Sequence, residues 1–380
     1  MGEDHRGSSS LALGRVPGRL VLDDEHYMQL AFELAERGRG LTHPNPRVGA
    51  VVVAGGEVVG RGYHRGSGLP HAEAEALADA GERARGATLY CTLEPCAHQG
   101  RTPPCADAIV AAGVTRVVAA LRDPNPLVDG RGFARLRAAG VTAELMGEEV
   151  ARRAERLNAP FLKYQRNGLP HVTYKAAVSL DGKVAGADGA SRRISGHESR
   201  RLVHAMRARA DAVLIGAGTL RRDDPLLTVR DCEGRGPLRV VLTRSGSLPL
   251  GSRLFSGALE TPTLVLAAGM EDTLEKALSA LGVQVERFDG SLQDALRHLA
   301  ARGALDVILE GGPSLAAALL AEGLVDRVAL FVAPLIIGRG APDLVALPAG
   351  GAAQVAVRLR DTVWRPVGDD MLLEADVEVA

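Results

Sequence analysis

The chain has 380 residues, 46% of them apolar, which is enough material for two domains that each bury their own core. Its 45 basic and 46 acidic residues leave a net charge of -1, and aromatic residues make up only 3%. This composition argues against a dedicated nucleic-acid-binding protein. The four cysteines are too sparse for a disulfide framework, and no apolar run approaches the roughly 20 residues of a membrane span, so a cytoplasmic protein is expected.

The first half predicts a three-layer α/β/α domain over residues 22–166, after a disordered tail over residues 1–21. Asp23 and Asp24 can cap a helix through "EHYMQLAFELAERGR", and "VGAVVVAGGEVVGRGYH" predicts two strands joined by a Gly-Gly turn. A helix "HAEAEALADAG", a buried strand "ATLYCTL" and a helix "PPCADAIVAAG" follow, and then "TRVVAAL", "FARLRAAG" and "VTAEL". One helix through "EEVARRAERLNAPFLKYQRNG" leads to a boundary near residue 167.

The second half predicts another α/β domain, over residues 167–380, with different motifs. "HVTYKAAVSL", "DAVLIGAG", "LRVVLT" and "TPTLVLAA" indicate strands, and "SGHESRRLVHAMRARA" indicates a helix capped by Ser195. "ALDVILEGGPSLAAALLAEG" predicts a strand, a glycine turn and a helix, before a closing strand "DRVALFVAPLIIG". The two halves are therefore not duplicates.

A metal-binding pattern spans "HAEAEA" and the stretch "TLEPCAHQGRTPPC". A catalytic zinc ion takes three protein ligands from His nitrogen and Cys sulfur and keeps one position for water, whose pKa it lowers to about 7. His71, Cys96 and Cys105 supply three such ligands. Glu73, two residues after His71, can move protons between the water and the leaving group. The order His-x-Glu, Pro-Cys and a second Cys is the signature of zinc-dependent nucleobase deaminases.

Three alternatives to this site remain open. A structural zinc site, or a zinc-stabilised binding module, would fill all four positions with protein ligands, and Cys91 could be the fourth. The apolar run around Cys91 favours a buried strand residue instead. A nucleic-acid deaminase is disfavoured by the neutral charge and by the eight residues between the two ligand cysteines, where C-x-x-C is usual.

The segments "THPNPRVGAVVV", "GYH", "PHAEAEAL", "TLEPCAHQGRTPPC" and "DPNP" resemble the deaminase half of the bifunctional riboflavin-biosynthesis deaminase/reductase family, and the resemblance covers about residues 25–375. It implies a cytidine-deaminase-like fold and hydrolytic removal of the 2-amino group from 2,5-diamino-6-(5-phosphoribosylamino)pyrimidin-4(3H)-one. It implies His71, Cys96 and Cys105 as zinc ligands and Glu73 as the catalytic proton shuttle. The positions that match the family's contacts to the pyrimidine and ribose phosphate are Asn45, His64, His98 and Arg101.

The second half carries weaker signals of its own. In "VILEGGPSLAAALL", backbone N–H groups at the helix start can bind the phosphates of a dinucleotide. "KAAVSLDGKVA" places Lys175 on a strand, where an inward-facing lysine needs an anionic or polar partner. Either feature alone is equally typical of a tight connection or a core strand.

These segments resemble the reductase half of the same family, which is similar in fold to dihydrofolate reductase. The resemblance implies transfer of hydride from NADPH to C1′ of the ribosylamino group, which opens the sugar to ribityl. Arg207 and Arg230 suit the 5′-phosphate. The substrate-binding positions implied are Lys175, Ser191, Arg207, Leu227, Arg230 and Glu310. The NADPH-binding positions implied are Ala177, Thr219, Asp223, Gly312, Pro313, Ser314, Leu315, Ala316, Ala317 and Ala318.

Two residues depart from the family pattern. Arg193 stands where Trp is common beside the cofactor, and Arg244 stands near the adenine ribose, where it can favour the 2′-phosphate of NADPH. Arg193 leaves open a specialised-pathway relative with an active deaminase and a weakened reductase. The expected partners are a small-molecule pyrimidine ribotide, Zn²⁺ and NADPH in a homo-oligomer, with no nucleic acid and no membrane.

Overall fold

The computed structural model describes residues 15–16, 19–20, 23–100, 103–186, 194–346 and 357–378. The chain divides into two compact units, Met1–Asn158 and Ala159–Ala380, and each contains its own α/β sheet. This arrangement confirms the predicted fold class. Within the expected disordered tail only residues 15–16 and 19–20 are described; they form two short antiparallel strands, and the rest of that prediction lies outside the described residues.

The first unit contains short helices around one five-stranded sheet. The sheet order is β4-β3-β5-β6-β7; β3 is antiparallel to β4 and β5, and β5, β6 and β7 are parallel. In chain order the elements are β1 (Arg15–Val16), β2 (Arg19–Leu20), α1 (Asp24–Glu36), β3 (Gly49–Ala54), β4 (Glu57–Tyr63), α2 (Ala72–Ala80), a 3-10 turn (Gly81–Ala84), β5 (Thr88–Cys91), α3 (Cys105–Ala111), β6 (Arg116–Ala119), α4 (Arg131–Ala138), β7 (Thr142–Leu145) and α5 (Glu148–Leu157).

Glycines on β3 and β4 allow helices to approach both faces of this sheet. A Cβ on Gly49 would lie 2.0 Å from Ala31 O of α1, and one on Gly62 would lie 2.2 Å from Ala72 O of α2. Gly62 pairs with Ala50, which neighbours Gly49 on β3, and side chains alternate along a strand. Helices α1 and α2 therefore pack on opposite faces, which gives the predicted three layers.

The single helix predicted across residues 148–168 is wrong. The structure has α5 and then α6 (Ala159–Asn167), with non-helical backbone at Asn158. Pro160 accounts for the break, since proline has no N–H to donate to the carbonyl of Arg156 and its ring would clash with that carbonyl in a continuous helix. The Asn158 side chain accepts from Arg47 N at 2.8 Å and donates to Arg47 O at 2.9 Å, which ties Asn158 to the first unit. The division between the two compact units falls after Asn158, and the boundary between functional domains near residue 167 stays a prediction.

The second unit is built on a nine-stranded sheet of order β12-β11-β10-β9-β13-β8-β14-β16-β15. The strands are parallel except for the pairs β14–β16 and β16–β15. The elements after α6 are β8 (His171–Ser179), α7 (His197–Arg209), β9 (Ala212–Gly216), α8 (Ala217–Asp223), β10 (Leu238–Thr243), α9 (Arg253–Ser256), β11 (Thr263–Ala267), α10 (Asp272–Ala280), β12 (Gln284–Arg287), α11 (Leu292–Ala301), β13 (Asp306–Leu309), α12 (Pro313–Ala321), β14 (Arg327–Ala333), β15 (Arg358–Val367) and β16 (Asp370–Glu378).

Two details of this unit differ from the sequence analysis. The hairpin β15–β16 was not predicted, because β15 is a polar, exposed edge strand that contains Pro366 and lacks an apolar face. Ser195 does not cap α7, so that prediction is wrong. The cap position is Gly196, whose N–H donates to the buried Asp370 carboxylate at 2.7 Å. None of the described helices is both long enough and apolar enough to cross a membrane.

Candidate functional site

Two helix starts and one loop of the first unit bring His71, Cys96 and Cys105 together. His71 is the N-cap residue of α2, Cys105 is the first residue of α3, and Cys96 lies in the loop after β5. The ligand atoms of all three lie within 4.8 Å of one another. His71 Nδ1 is 3.2 Å from Cys105 Sγ and 3.6 Å from Cys96 Sγ.

These distances fit one zinc ion. Zinc–sulfur bonds of about 2.3 Å and zinc–nitrogen bonds of about 2.0–2.1 Å, at tetrahedral angles, separate nitrogen and sulfur ligands by about 3.6 Å. The donor set of one imidazole and two thiols is also the set that zinc prefers, and three ligands leave the fourth position for water or substrate. The predicted catalytic metal site therefore matches the geometry of the chain.

The start of α3 favours the thiolate form of Cys96. The backbone N–H of Cys105 donates to Cys96 Sγ at 3.4 Å, and a helix N-terminus stabilises negative charge. The hydrogen bond from the Cys105 side chain lowers the pKa of the Cys96 thiol, and hydrogen bonding to Cys96 raises the pKa of His71. Because zinc binds thiolate, this environment prepares Cys96 for the metal.

Cys91 does not belong to the cluster. It ends β5, is fully buried, and its Sγ is 3.9 Å from Val118 O. Burial raises the pKa of this thiol. Among the described residues the metal-binding group consists of His71, Cys96 and Cys105. The described residues therefore include no fourth protein ligand of the kind that a structural zinc site requires.

Glu73 lies in the first turn of α2, two residues from His71, and only 4% of its surface is exposed. Burial raises the pKa of Glu73 to about 7. A carboxyl group with this pKa can accept and release a proton near neutral pH, as a proton shuttle must.

A second polar group lies beside the metal ligands. Asn45 Nδ2 is 3.0 Å from His64 Nε2, and His64 Nδ1 is 3.1 Å from Pro70 O. Since Pro70 O only accepts, Nδ1 of His64 donates to it and Nε2 accepts from Asn45. The ring centroids of His64 and His71 are 5.4 Å apart. Two of the predicted substrate residues are therefore connected to a metal ligand.

The other two predicted substrate residues of this unit lie on the loop between the cysteines. The Nδ1 atom of His98 is buried and has no hydrogen-bond partner within the described ranges, so it is available to a ligand. Arg101 lies outside the described residues.

Sequence reasoning missed Glu94, which holds the metal loop in place. Its buried carboxylate accepts from Gly130 N at 3.0 Å and from Phe133 N at 3.2 Å, at the start of α4. A Cβ on Gly132 would lie 1.9 Å from Pro95 O, so α4 packs directly against the Glu-Pro-Cys segment. The glutamate of "LEPC" was the available signal, because a buried carboxylate requires donors.

The second unit contains a cleft of about 370 Å³. Ten predicted residues line it: Lys175, Ala177, Arg207, Thr219, Asp223, Leu227, Arg230, Glu310, Gly312 and Pro313. Ser191 and Arg193 lie outside the described residues. The remaining predicted cofactor residues are not among the lining residues: Arg244 is exposed after β10, and Ser314, Leu315, Ala316, Ala317 and Ala318 continue along α12.

Glu310 links two of the predicted substrate residues. Its carboxylate accepts from Arg207 Nε at 2.6 Å and from Arg207 Nη2 at 2.9 Å, and it lies 3.5 Å from Lys175 Nζ. Burial alone would raise the pKa of Glu310, but the charges of Lys175 and Arg207 lower it to about 2. The expectation that Lys175 has an anionic partner is confirmed. Arg207 also donates from Nη1 to Thr228 O at 3.2 Å, so its guanidinium is engaged by the protein.

The Gly-Gly turn lies at the same cleft. Thr219 Oγ1 accepts from Gly312 N at 3.0 Å, and Gly312 is the cap position of α12. Asp223 Oδ1 is buried without a hydrogen-bond partner among the described residues, and burial raises the pKa of this carboxyl. The turn and a buried, unsatisfied carboxyl oxygen are suited to a polar ligand.

His204 of α7 also lines the cleft and was not predicted. Its Nδ1 is 3.2 Å from Arg230 N and 3.1 Å from Thr228 O. His204 lies one turn before Arg207 on the same face of α7, so the i,i+3 spacing could have identified it.

Comparison with known proteins matches each unit separately. Residues 22–121 match the family model "cytidine and deoxycytidylate deaminase zinc-binding region", and residues 170–373 match the RibD C-terminal domain. The riboflavin biosynthesis protein RibD of Aquifex aeolicus is 45% identical over 320 residues, which are 83% of this chain and 88% of that protein.

Two solved structures match both units of the chain. RibD of Acinetobacter baumannii, form 1, has a TM-score of 0.83 at 39% identity and covers 94% of this chain and 99% of its own. A Thermotoga maritima protein described as a diaminohydroxyphosphoribosylaminopyrimidine deaminase/5-amino-6-(5-phosphoribosylamino)uracil reductase has a TM-score of 0.80 at 34% identity, with coverages of 93% and 98%.

Proposed function

The chain belongs to the RibD family of bifunctional riboflavin biosynthesis enzymes, and on this premise we propose how its residues divide the two reactions. Its deaminase domain hydrolytically removes an amino group from 2,5-diamino-6-(5-phosphoribosylamino)pyrimidin-4(3H)-one. Its reductase domain then uses NADPH to reduce the ribosyl group of 5-amino-6-(5-phosphoribosylamino)uracil to ribityl. The deaminase corresponds to the unit Met1–Asn158 and the reductase to Ala159–Ala380. The comparisons give no support to a specialised relative with a weakened reductase.

The cluster of His71, Cys96 and Cys105 beside the buried Glu73 carries the assignment of the deaminase. Bound zinc supplies a Lewis acid that makes water nucleophilic at neutral pH. Glu73 takes the proton from the attacking water and delivers it to the departing amino group, which leaves as ammonia.

Asn45, His64, His98 and Arg101 bind the deaminase substrate in this proposal. Asn45 and His64 form one hydrogen-bonded pair, so the orientation of the asparagine amide is set before substrate arrives. The buried, unpartnered Nδ1 of His98 supports a hydrogen bond to the ligand. Arg101 contributes a cation for the ribose phosphate.

In the reductase, Lys175, Glu310 and Arg207 form a charged group in the wall of the cleft, and Leu227 and Arg230 bind the ribotide with Ser191. The Arg207 guanidinium is occupied by Glu310 and Thr228 O, whereas Arg230 is exposed and, among the described residues, uses only Nη1, which donates to Thr228 Oγ1 at 2.7 Å. Arg230 is therefore the better donor to the 5′-phosphate. Ala177, Thr219 and Asp223 accommodate NADPH together with Gly312 and the first residues of α12, Pro313 to Ala318; NADPH supplies the hydride. Arg193 and Arg244 complete the cofactor site, with Arg244 directed to the 2′-phosphate.

Location and assembly belong to the same proposal. A cytoplasmic location is supported by free cysteines, since zinc-binding thiols persist in a reducing compartment. Exposed apolar residues on the edge strand β15, Val363 and Trp364, support a homo-oligomer. The balanced charge supports a small-molecule substrate without nucleic acid.

Removing zinc tests whether the metal serves the deaminase and not the reductase. A chelator should abolish release of ammonia from the diaminopyrimidinone ribotide and leave oxidation of NADPH by the deaminated intermediate unchanged. Adding zinc back should restore the ammonia. Loss of both activities on chelation, with the chain still folded, would contradict the assignment of zinc to the deaminase alone.

A further inference from the structure

Arg239 is a fully buried arginine on β10, with 1% of its surface exposed. Its two terminal nitrogens point in different directions. Nη1 donates to Leu226 O at 3.2 Å. Nη2 donates to a second group of acceptors, which are Gly257 O at 2.9 Å, Thr261 O at 2.9 Å and Thr263 Oγ1 at 2.6 Å.

Charge pairing does not account for this side chain. No carboxylate in the described part of the chain forms an ion pair with Arg239, and its Nε has no hydrogen-bond partner there. Burial lowers the pKa of the guanidinium, so the charged form is penalised at this position. An apolar side chain of similar size would avoid that cost. An apolar side chain could not, however, connect Leu226 with the residues around Thr261 through hydrogen bonds.

Leu226 belongs to a segment that lines the reductase cleft and has unusual backbone geometry. Pro225, Leu227 and Arg230 line the cleft. Leu227 has φ 53 and Asp231 has φ 61, both in the left-handed region that favours glycine. Each such non-glycine residue costs about 1–3 kcal/mol and persists only where surrounding contacts hold it.

The contacts to this segment come from two sides. Arg207 Nη1 donates to Thr228 O, and His204 Nδ1 lies 3.2 Å from Arg230 N; both side chains line the cleft, where substrate competes for them. Arg239 does not line the cleft and holds Leu226 from within the core. Its contact is therefore independent of what the cleft contains.

We propose that Arg239 is a positioning residue of the reductase, which fixes the segment from Leu226 to Arg230 so that Leu227 and Arg230 face the ribotide. The inference rests on the proposed roles of Leu227 and Arg230 in binding that substrate. Arginine is required because one planar fork bridges two sets of carbonyl oxygens. A lysine ammonium would keep the charge but would reach only one set.

The test uses the full-length, zinc-loaded enzyme and the variants Arg239→Met and Arg239→Lys. The reductase is assayed with the deaminated ribotide at varied concentrations of ribotide and of NADPH, and NADPH binding is measured by fluorescence. The KM for the ribotide should rise on the order of tenfold to a hundredfold, because Leu227 and Arg230 are displaced. The NADPH dissociation constant and the deaminase kinetics should stay within about twofold of wild type.

Thr263→Val is the matched control. It removes one acceptor of Nη2 from the same buried cluster but leaves the bond to Leu226 intact. It should lower the melting temperature and leave the ribotide KM unchanged. Arg239→Lys covers the case in which Arg239→Met does not fold, and it should also raise the KM.

The possible outcomes distinguish a failure of the role inferred for Arg239 from a failure of the proposed reductase function. A purely structural role would reduce the folded fraction, and so Vmax, without changing the KM of the folded enzyme. Folded Arg239 variants with a wild-type ribotide KM would therefore overturn the inference. Wild-type enzyme that does not reduce the ribotide would instead overturn the proposed function and the inference together.

Discussion

Arg207 and Glu310 form a bidentate ion pair in the wall of the reductase cleft, with Nε to Oε1 at 2.6 Å and Nη2 to Oε2 at 2.9 Å. The side chains are 11% and 10% exposed, so both charges have been taken out of water. Such a pair is costly to break from one side, because the remaining charge stays buried without compensation. The arrangement of charged side chains in the cleft wall and the stability of the second unit therefore both depend on the Arg207–Glu310 ion pair.

Glu310→Gln should destabilise the second unit by about 3–5 kcal/mol and severely reduce reductase turnover, since Arg207 and Lys175 would lose their counter-charge. Chemical denaturation and NADPH oxidation measure the two effects. Glu378→Gln is the control, because Glu378 pairs with Arg360 on an exposed strand, and the substitution should leave the stability almost unchanged. Equal effects of the two substitutions would contradict a special role for the buried pair.

The contribution of Glu310 to the free energy of unfolding should also depend on pH. The pKa of Glu310 is lowered to about 2 in the folded chain, against about 4.3 for an unfolded glutamate. Because the folded value is the lower one, its stabilising effect is complete above about pH 4.3 and is lost as pH falls toward 2. The stability difference between wild type and Glu310→Gln, followed by denaturation across this range, should shrink as the pH falls. A constant difference would contradict the account.

Cys96→Ser and Cys105→Ser should each lose bound zinc and ammonia release, while the reductase still oxidises NADPH with the deaminated intermediate. Cys91→Ala is the control, since Cys91 lies on β5 outside the cluster; it should retain one zinc per chain. Metal analysis of the purified variants gives the stoichiometry. Zinc loss in Cys91→Ala would revive the four-ligand structural site.

Gly132→Ala should weaken the metal loop from a distance. The added Cβ would lie 1.9 Å from Pro95 O, next to Cys96, so the loop or α4 must move at a cost of about 1–3 kcal/mol. We expect weaker zinc binding in a chelator competition. Gly147→Ala is the control, because a Cβ there meets nothing within 4 Å and φ is -65. Unchanged zinc affinity in Gly132→Ala would show that the contact does not position the metal loop.

The sequence predicts the zinc cluster because its two halves form a known signature. His71 and Glu73 share one helix start, and Cys96 and Cys105 flank one loop. His71 is 34 residues from Cys105, so the order of the deaminase signature, and not spacing alone, joins the two pairs. The Arg207–Glu310 pair joins residues 103 positions apart, and no local pattern could show that Arg207 is already occupied. The helix break at Asn158 was foreseeable from Pro160. The β15–β16 hairpin was not, because an exposed edge strand lacks the apolar alternation that identifies strands.

The central claim is that one chain deaminates first, through Glu73, and then reduces at a separate site. The most direct test compares wild type with Glu73→Gln, following ammonia and NADPH separately, with Glu75→Gln as the matched control from the same helix. Glu73→Gln should keep its zinc. With the diaminopyrimidinone ribotide it should release ammonia about 100- to 10,000-fold more slowly than wild type, and it should oxidise NADPH no faster than it releases ammonia. With the deaminated intermediate it should oxidise NADPH at the wild-type rate. Rapid NADPH oxidation by Glu73→Gln with the diaminopyrimidinone ribotide, or normal ammonia release, would contradict the account.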